Sequence, residues 1–407
     1  MESFQFSALH EATAIAFSPG STFVATATQN TILVRSAKTL QVVRQWDCDT
    51  NEASGLIVID DIKWSGNGTR LLAASKHSDC AWVLDLSCER AIARVEAPHV
   101  RTDWGLDDIR IWTEAHTFSP DHRYMAIPER HSGKDYLGIY DSVSLVRVGN
   151  QDEFRLTAAF SDPCDRGRVP FLEPLRQVDS SRGLEALVYS PVGAKVGTYQ
   201  RPSSVLGVKC VSWSPNGRHL AVGGYDGVVR VLESEYWQPI SVVRGFENGA
   251  LVEPSTSGLE ELVHFQCAAA AHNKGATEVD QVGFSNDGKL LFFTQRRALH
   301  MYSFLPESYA ATPNVTHETS VVFNREISDV RLCPTTPRFV VVNDDSMVFL
   351  CDVKVVQGAR VPESRQFRPT RAIWAPDGKA VALFDQQSFC IVYEDVVGEA
   401  GEQWEEE

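Results

Sequence analysis

Residues 206–243 read LGVKCVSWSPNGRHLAVGGYDGVVRVLESEYWQPISVV and carry the clearest structural pattern of this chain. Polar and apolar side chains alternate over 208–213, and a Pro-Asn-Gly turn then reverses the chain into a second run at 219–223. An Asp-Gly turn follows, and two more apolar runs occupy 228–232 and 240–243. The stretch therefore predicts four short antiparallel strands that form one sheet.

The turn between the first two strands recurs along the chain. In most copies an aromatic residue is followed by Ser and then by Pro, Asn, Asp or Gly, and the other copies are close variants. The second turn residue of the eight copies lies at positions 18, 65, 119, 161, 214, 285, 333 and 375. Four strands per roughly 40–45 residues is typical of a β-propeller, in which each sheet packs against two neighbours around a ring. The sequence predicts an all-β propeller of eight blades, with seven or nine as alternatives.

Because the repeat runs nearly from end to end, residues 1–398 are predicted to form a single ring. The interval after the fifth turn is long, which indicates an insertion at 246–280, expected on one face of the ring. Residues 99–114 look like a degenerate strand unit, and 399–407 look like a disordered acidic tail. We expect Phe4-Gln5-Phe6, or a nearby segment, to close the ring by pairing with the last blade.

Charge and hydropathy exclude several classes of partner. The formal net charge of −15 opposes non-specific binding to nucleic acid and anionic membranes. The sequence offers only modest concentrations of basic residues, such as Arg296-Arg297 and the series Arg360, Arg365, Arg368 and Arg371. No apolar run reaches the length of about 18 residues that a membrane span needs, and no targeting segment is recognisable at the start. A cytoplasmic protein is expected.

The sequence contains no pattern of catalytic or metal-binding residues. A nucleophile elbow, a phosphate-binding loop and paired metal ligands are all missing, and the 11 histidines are dispersed. The 9 cysteines show no spacing typical of a zinc site or a disulfide framework. We therefore predict no enzymatic activity, no cofactor and no metal. A propeller enzyme stays open as an alternative, and it would bring acidic or His residues together at the central channel.

The third strands of the repeats end in a pattern that resembles WD repeats. Where a standard WD repeat ends this strand with Trp-Asp, the chain has Leu84-Asp85, Tyr140-Asp141, Leu232-Glu233, Cys351-Asp352 and Tyr393-Glu394. The repeats are thus divergent, and we expect the polar network of the standard repeat to be missing or replaced in most blades.

Some residues stand outside the repeat register and are candidates for protein contacts. The aromatic residues that precede the turns are predicted to lie in the core, whereas Trp104, Tyr199, Tyr225 and Trp237 could be exposed anchors. The charged segment 129–136 is predicted to be a hairpin between two strands. The candidate protein-binding residues are Arg130, Lys134, Tyr136, Tyr225 and Trp237.

Four stretches resemble one particular WD-repeat family. They are RYMAIPERHSGKDYLGIYD (123–141), LEALVYSPVGAKVGTYQ (184–200), LGVKCVSWSPNGRHLAVGGYDGVVRVLESEYWQPI (206–240) and SFCIVYEDVVG (388–398). The family is that of centrosomes and spindle poles, encoded in vertebrates antisense to a p53-relative gene, with fungal relatives at the spindle pole body.

This resemblance implies a non-enzymatic adaptor at the cytoskeleton. Such an adaptor would pair with a coiled-coil anchoring protein and, in fungi, with a minus-end-directed motor of the kinesin-14 type, so that microtubule minus ends are anchored. Microtubule association would be indirect, with no binding to nucleic acid or membrane. An alternative function is a generic WD-repeat adaptor, such as a ubiquitin-ligase substrate receptor or a translation-associated propeller.

Overall fold

The structure is a computed structural model. The residues it describes are 4–48, 58–75, 80–96, 117–118, 123–131, 134–146, 159–160, 171–172, 185–189, 195–200, 208–245, 250–252, 261–263, 278–305, 314–343, 347–352, 356–362, 366–385 and 387–394. These residues form strands, turns and connections, and no helix occurs among them. The degenerate segment predicted at 99–114 and the acidic tail predicted at 399–407 lie outside the described residues.

Within the described residues, the first half of the chain provides four repeat units and two strands that precede them. The two preceding strands are β1 (Phe4–Phe6) and β2 (His10–Glu11). Unit one consists of β3 (Ala14–Phe17), β4 (Phe23–Thr28), β5 (Thr31–Ser36) and β6 (Val42–Asp47). Unit two consists of β7 (Asp61–Trp64), β8 (Arg70–Ala74), β9 (Cys80–Asp85) and β10 (Ala93–Glu96). Unit three consists of β11 (Thr117–Phe118), β12 (Tyr124–His131) and β13 (Lys134–Asp141). Unit four consists of β14 (Ala159–Phe160), β15 (Phe171–Leu172), β16 (Glu185–Tyr189) and β17 (Lys195–Gln200).

The second half provides the other four units. Unit five consists of β18 (Val208–Trp213), β19 (His219–Gly224), β20 (Val228–Glu233) and β21 (Pro239–Arg244). Two short strands, β22 (Ala250–Val252) and β23 (Glu261–Val263), then precede unit six. Unit six consists of β24 (Gln281–Phe284), β25 (Leu290–Gln295), β26 (Ala298–Leu305) and β27 (Asn314–Phe323). Unit seven consists of β28 (Ile327–Leu332), β29 (Phe339–Asn343), β30 (Met347–Cys351) and β31 (Val356–Arg360). Unit eight consists of β32 (Arg371–Trp374), β33 (Ala380–Phe384) and β34 (Ser388–Glu394).

Strands within a unit pair antiparallel in chain order, except that unit four is described as two separate ladders. The first strands of consecutive units contact each other, as β3 contacts β7, β18 contacts β24 and β28 contacts β32. First strands therefore lie on the inside of the ring and fourth strands on the outside. The predicted closure is confirmed, because β1 pairs antiparallel with β34 and supplies the fourth strand of unit eight.

The chemistry of the recurring first turn explains its sequence. In unit five the Ser214 hydroxyl donates to Asn216 Oδ1 at 2.7 Å and accepts from the His219 backbone N–H at 3.0 Å. Gly217 has φ of 63°, which favours glycine, and its N–H donates to the Ser214 carbonyl at 2.8 Å. Ser65 and Ser285 accept the equivalent backbone bonds in units two and six. Serine, any residue, Asn or Asp, and then Gly is thus a hydrogen-bonded turn motif.

Neighbouring first turns also contact each other, which places them at one end of the ring. Asn286 Nδ2 donates to the Pro334 carbonyl of unit seven at 2.5 Å. The Asp377 N–H in unit eight donates to Ser21 Oγ of unit one at 2.9 Å, so this contact spans the ring closure. We call this end the first-turn face. Because strands alternate in direction, third turns lie there too, while second turns and the connections between units lie at the opposite end, the second-turn face.

The core lies between successive sheets. Four in-register aromatic residues are buried, as predicted, whereas Trp213 of unit five is only half-buried. Phe17, Trp64, Phe284 and Trp374 are each less than 10% exposed. Two of them also tie units together, because Trp64 Nε1 donates to the Ala16 carbonyl and Trp374 Nε1 donates to the Arg331 carbonyl, both at 3.0 Å.

The described part of the insertion predicted at 246–280 does not lie on one face of the ring. Its described strands lie on the outer edge: β22 pairs parallel with β27, and β23 pairs antiparallel with β31. An unpaired outer strand leaves its backbone N–H and C=O groups without hydrogen-bond partners. Strands β22 and β23 supply these partners to the outer strands of units six and seven. The last residues of the predicted insertion belong to the core instead, since Val279 is fully buried and its N–H donates to the Gly224 carbonyl at 3.1 Å.

Candidate docking surfaces

The hairpin of unit three is longer than that of unit one. Strands β12 and β13 form eight residue pairs, from Tyr124–Asp141 to His131–Lys134, whereas β4 and β5 form six. At about 3.3 Å per residue, the two additional pairs extend the hairpin by roughly 7 Å on the second-turn face. The candidate residue Arg130, which pairs with Asp135, lies in this extension, and Tyr136, which pairs with Glu129, lies immediately before it. Lys134 begins β13 and pairs with His131 at the tip.

Tyr225 lies at the same face, in the second turn of unit five, and is half-buried. The Lys209 ammonium lies 5.8 Å from the centroid of its ring, within the range of a cation–π contact. Lys209 also binds Asp280 at 2.7 Å and Glu278 at 2.8 Å, which links units five and six. Burial of Lys209 opposes protonation, but the hydrogen bonds to Asp280 and Glu278 outweigh it and raise the pKa of Lys209.

A second ion pair closes the same turn. Arg230 donates to both carboxylate oxygens of Asp226, at 2.6 and 3.2 Å, and this hydrogen bonding raises the pKa of Arg230. Tyr199 of unit four packs beside unit five and is 4% exposed, and its burial raises the pKa of Tyr199. Tyr199 is therefore a core residue and not the exposed anchor that its off-register position suggested.

Trp237 is also in the core, contrary to the prediction that it is an exposed contact residue. It is 8% exposed and lies edge-on to Trp213, with ring centroids 5.9 Å apart and planes at 87°. The backbone N–H of Trp237 donates to the Glu233 carbonyl at 2.8 Å, which closes the third turn of unit five. It lies at the first-turn face, opposite to the other four candidates.

A repeated pattern in the third turns could have located Trp237 in the sequence. Leu40 and Leu145 close the third turns of units one and three with the same backbone bond, each donating to the carbonyl four residues earlier at 2.9 Å. All three residues have positive φ, at 57° for Leu40, 59° for Leu145 and 58° for Trp237. A large apolar residue four positions after the end of the third strand is the signal that was missed.

The basic residues noted in the sequence lie at two places on the second-turn face, the second turn of unit six and the region between units seven and eight. Arg296 and Arg297 are exposed and form the second turn of unit six. Arg360 ends β31 and Arg368 lies in the connection to unit eight, and both are exposed. Arg371 begins β32 and is half-buried, and Arg365 lies outside the described residues. Trp104, the fourth off-register aromatic residue, also lies outside them.

Among the described side chains we looked for metal-binding groups and ionised thiols. Within the described ranges, no group of three or more His, Cys, Asp or Glu residues could hold a metal ion. Burial raises the pKa of the Cys210 and Cys390 thiols to about 12, so both are neutral near pH 7. In the part of the chain that the structure describes, no helix has the length and apolar character to cross a membrane.

Comparison with known proteins supports the assignment of the fold as a β-propeller. Residues 193–232, from the end of unit four through the third strand of unit five, match the family model "WD domain, G-beta repeat". The protein "WD repeat-containing protein WRAP73" of Mus musculus is 23% identical to the chain over 454 aligned positions, which cover 96% of this chain and 95% of that protein.

Solved propellers superpose over nearly the whole chain. The Dos1 propeller does so with a TM-score of 0.61 at 10% identity, covering 96% of this chain and 93% of that one. The β-propeller domain of Cps50 (Swd1) from Myceliophteria thermophila gives a TM-score of 0.51 at 13% identity, with 97% and 99% covered. The predicted fold class is confirmed: the chain is a divergent WD-type β-propeller, an architecture typical of protein-interaction scaffolds.

Proposed function

We propose that the protein is a non-enzymatic scaffold that binds a coiled-coil anchoring protein and a minus-end-directed kinesin, and thereby anchors microtubule minus ends at the spindle pole or centrosome. The motor and the coiled-coil protein would make the microtubule contact, because the propeller itself carries a net charge of −15.

One observation carries this proposal. Two of the stretches that resemble the spindle-pole family, 123–141 and 206–240, supply the projecting hairpin and Tyr225, and both features lie on the second-turn face. The similarity to the mouse WD-repeat protein runs along 96% of the chain, so the resemblance is not confined to one repeat. A rigid ring suits such a role, since little conformational entropy is lost on the propeller side when a partner binds.

The test is localisation of the tagged protein in dividing cells, combined with purification of its partners. We expect a focal signal at spindle poles and recovery of a coiled-coil protein together with a kinesin. The double variant Arg130→Glu, Lys134→Glu should lose partner binding while keeping the thermal midpoint of the wild type. Tyr236→Ala, at a residue 67% exposed on the first-turn face, is the matched control and should localise normally.

Two outcomes would contradict the proposal. A diffuse signal throughout mitosis would exclude a stable role at the spindle pole. Recovery of ubiquitin-ligase or ribosomal subunits without any spindle-pole component would favour the generic adaptor.

A further inference from the structure

Four exposed arginines surround the second turn of unit six. They are Arg244, Arg296, Arg297 and Arg325, called here the arginine cluster. Backbone bonds fix how three of them lie: the Ile327 N–H donates to the Arg296 carbonyl at 2.7 Å, and the Phe323 N–H donates to the Arg297 carbonyl at 2.8 Å. The connection that carries Arg325 is therefore attached at both ends to the Arg296-Arg297 turn.

Arg244 reaches the same turn from unit five. Its carbonyl accepts the hydroxyl of Tyr302, a residue of β26, at 2.5 Å. The next residue, Gly245, lies so close to the turn that a Cβ there would be 2.0 Å from Gln295 Oε1. Gln295 immediately precedes Arg296, so Arg244 borders the turn on the side of unit five.

Two of the nearby carboxylates, Asp280 and Glu278, are already engaged. Asp280 accepts a bond from Lys209 at 2.7 Å through one oxygen and from the Arg296 backbone N–H at 2.6 Å through the other. Glu278 binds Lys209 as well. Among the described residues, the cluster side chains form no ion pair, and Glu326 is the exposed acid beside them. With no carboxylate of the described residues paired to them, the guanidinium groups can bind an external anion.

We propose that the arginine cluster is a docking site for a short acidic segment of a partner polypeptide. Each guanidinium can bind a carboxylate through two parallel N–H donors, which a lysine ammonium cannot do. The site is on the second-turn face, one unit beyond Tyr225, and its existence does not depend on the spindle-pole assignment.

Charge and size favour an acidic peptide over a nucleic acid. The cluster spans a single turn and its two flanking connections, so it matches a few carboxylates and not a long phosphate backbone. In a chain of net charge −15, a long polyanion would extend beyond the cluster into a repulsive field. At physiological ionic strength screening acts over about 8 Å, so a short anion feels mainly the local positive charge.

The test is fluorescence anisotropy with the full chain and a peptide of eight glutamates, against an octaglutamine peptide and a ten-nucleotide single-stranded RNA. We expect the glutamate peptide to bind, the glutamine peptide not to bind, and affinity to fall between 50 and 200 mM salt. The variant Arg296→Glu, Arg297→Glu should weaken binding by at least about tenfold.

The matched control is Lys38→Glu, Arg90→Glu, which makes the same change of net charge at exposed residues of third turns on the first-turn face. It should bind like the wild type. A second cluster variant, Arg244→Gln with Arg325→Gln, keeps the test valid if the first misfolds. Equal losses in cluster and control variants, no binding of the glutamate peptide at 50 mM salt, or tighter binding of RNA through the same arginines would each overturn the proposal.

Discussion

Asp329 and Ala372 lie on neighbouring blades, and Oδ2 of the Asp329 carboxylate accepts a hydrogen bond from the Ala372 backbone N–H at 3.0 Å. The other oxygen, Oδ1, accepts from Gln281 Nε2 at 3.0 Å, on the blade that precedes. Asp329 is 2% exposed, so a single buried carboxylate joins the first strands of three consecutive units near the centre of the ring.

Substitution of this carboxylate should weaken the ring. We expect Asp329→Ala to lower the free energy of unfolding by about 2–3 kcal/mol, because buried donors left without an acceptor cost roughly 1–3 kcal/mol each. Asp329→Asn keeps one acceptor oxygen and should cost less. Denaturation in urea measures both changes. Equal losses for the two variants, or a neutral Asp329→Ala, would show that these bonds contribute little.

Turn glycines should differ in their tolerance of a side chain. Gly378 has φ of +72°, and a Cβ there would be 2.2 Å from Thr335 Oγ1 and 2.8 Å from Cys333 Sγ of unit seven. Gly288 has a similar φ of +69°, but its nearest neighbour would be Pro215 Cδ at 3.6 Å. Gly378→Ala should therefore lower the thermal midpoint more than Gly288→Ala, since only the first adds a clash to the backbone strain.

Gly20→Ala is the control for this pair. The φ of Gly20 is outside the left-handed region, and a Cβ there would meet only Thr22 Oγ1 at 3.6 Å. The substitution should be neutral or stabilising by roughly 0.4–1 kcal/mol, because alanine restricts the unfolded chain. If Gly378→Ala and Gly20→Ala give the same midpoint, the contact between the turns of units seven and eight is not rigid.

Truncation of two adjacent residues, Trp237 and Tyr236, should lower the free energy of unfolding to very different extents. Trp237→Ala should cost about 3–5 kcal/mol, the usual range for a buried aromatic residue, because it removes the edge contact with Trp213. Tyr236→Ala should change stability by no more than about 0.5 kcal/mol, because Tyr236 is 67% exposed. Thermal or urea unfolding separates the two. If Trp237→Ala kept the stability of the wild type but lost binding of a partner protein, Trp237 would be a contact residue, as the sequence predicted.

The sequence predicted features whose signals are local. The strands of unit five appear where alternation and turn residues placed them, since Gly217 and Gly227 adopt the positive φ that such turns require. Closure by Phe4-Gln5-Phe6 was also predictable, because an open ring would leave the edge of β34 unpaired.

Features that depend on contacts between units were not predictable from one sequence. The pairing of β22 and β23 with units six and seven follows from open outer edges, and no local pattern in 246–280 specifies it. The same applies to the arginine cluster, since Arg244 and Arg325 are far from Arg296 in the sequence and meet only when units five to seven pack together. Trp237 was expected to be exposed but is buried, because its turn position, and not its neighbours in sequence, directs it inward.

Stability should depend on the protonation of His300 in mildly acidic solution. His300 Nδ1 lies 2.7 Å from Ser320 Oγ, and burial, with a smaller contribution from His317, lowers the pKa of His300 to about 4. Below an unfolded pKa of about 6.5 the unfolded chain binds a proton that the folded chain does not. The contribution of neutral His300 is therefore complete above pH 6.5 and decreases by roughly 3 kcal/mol as the pH falls toward 4. Urea unfolding between pH 7 and 4.5 should show a shallower loss for His300→Gln than for the wild type, and parallel curves would contradict this coupling.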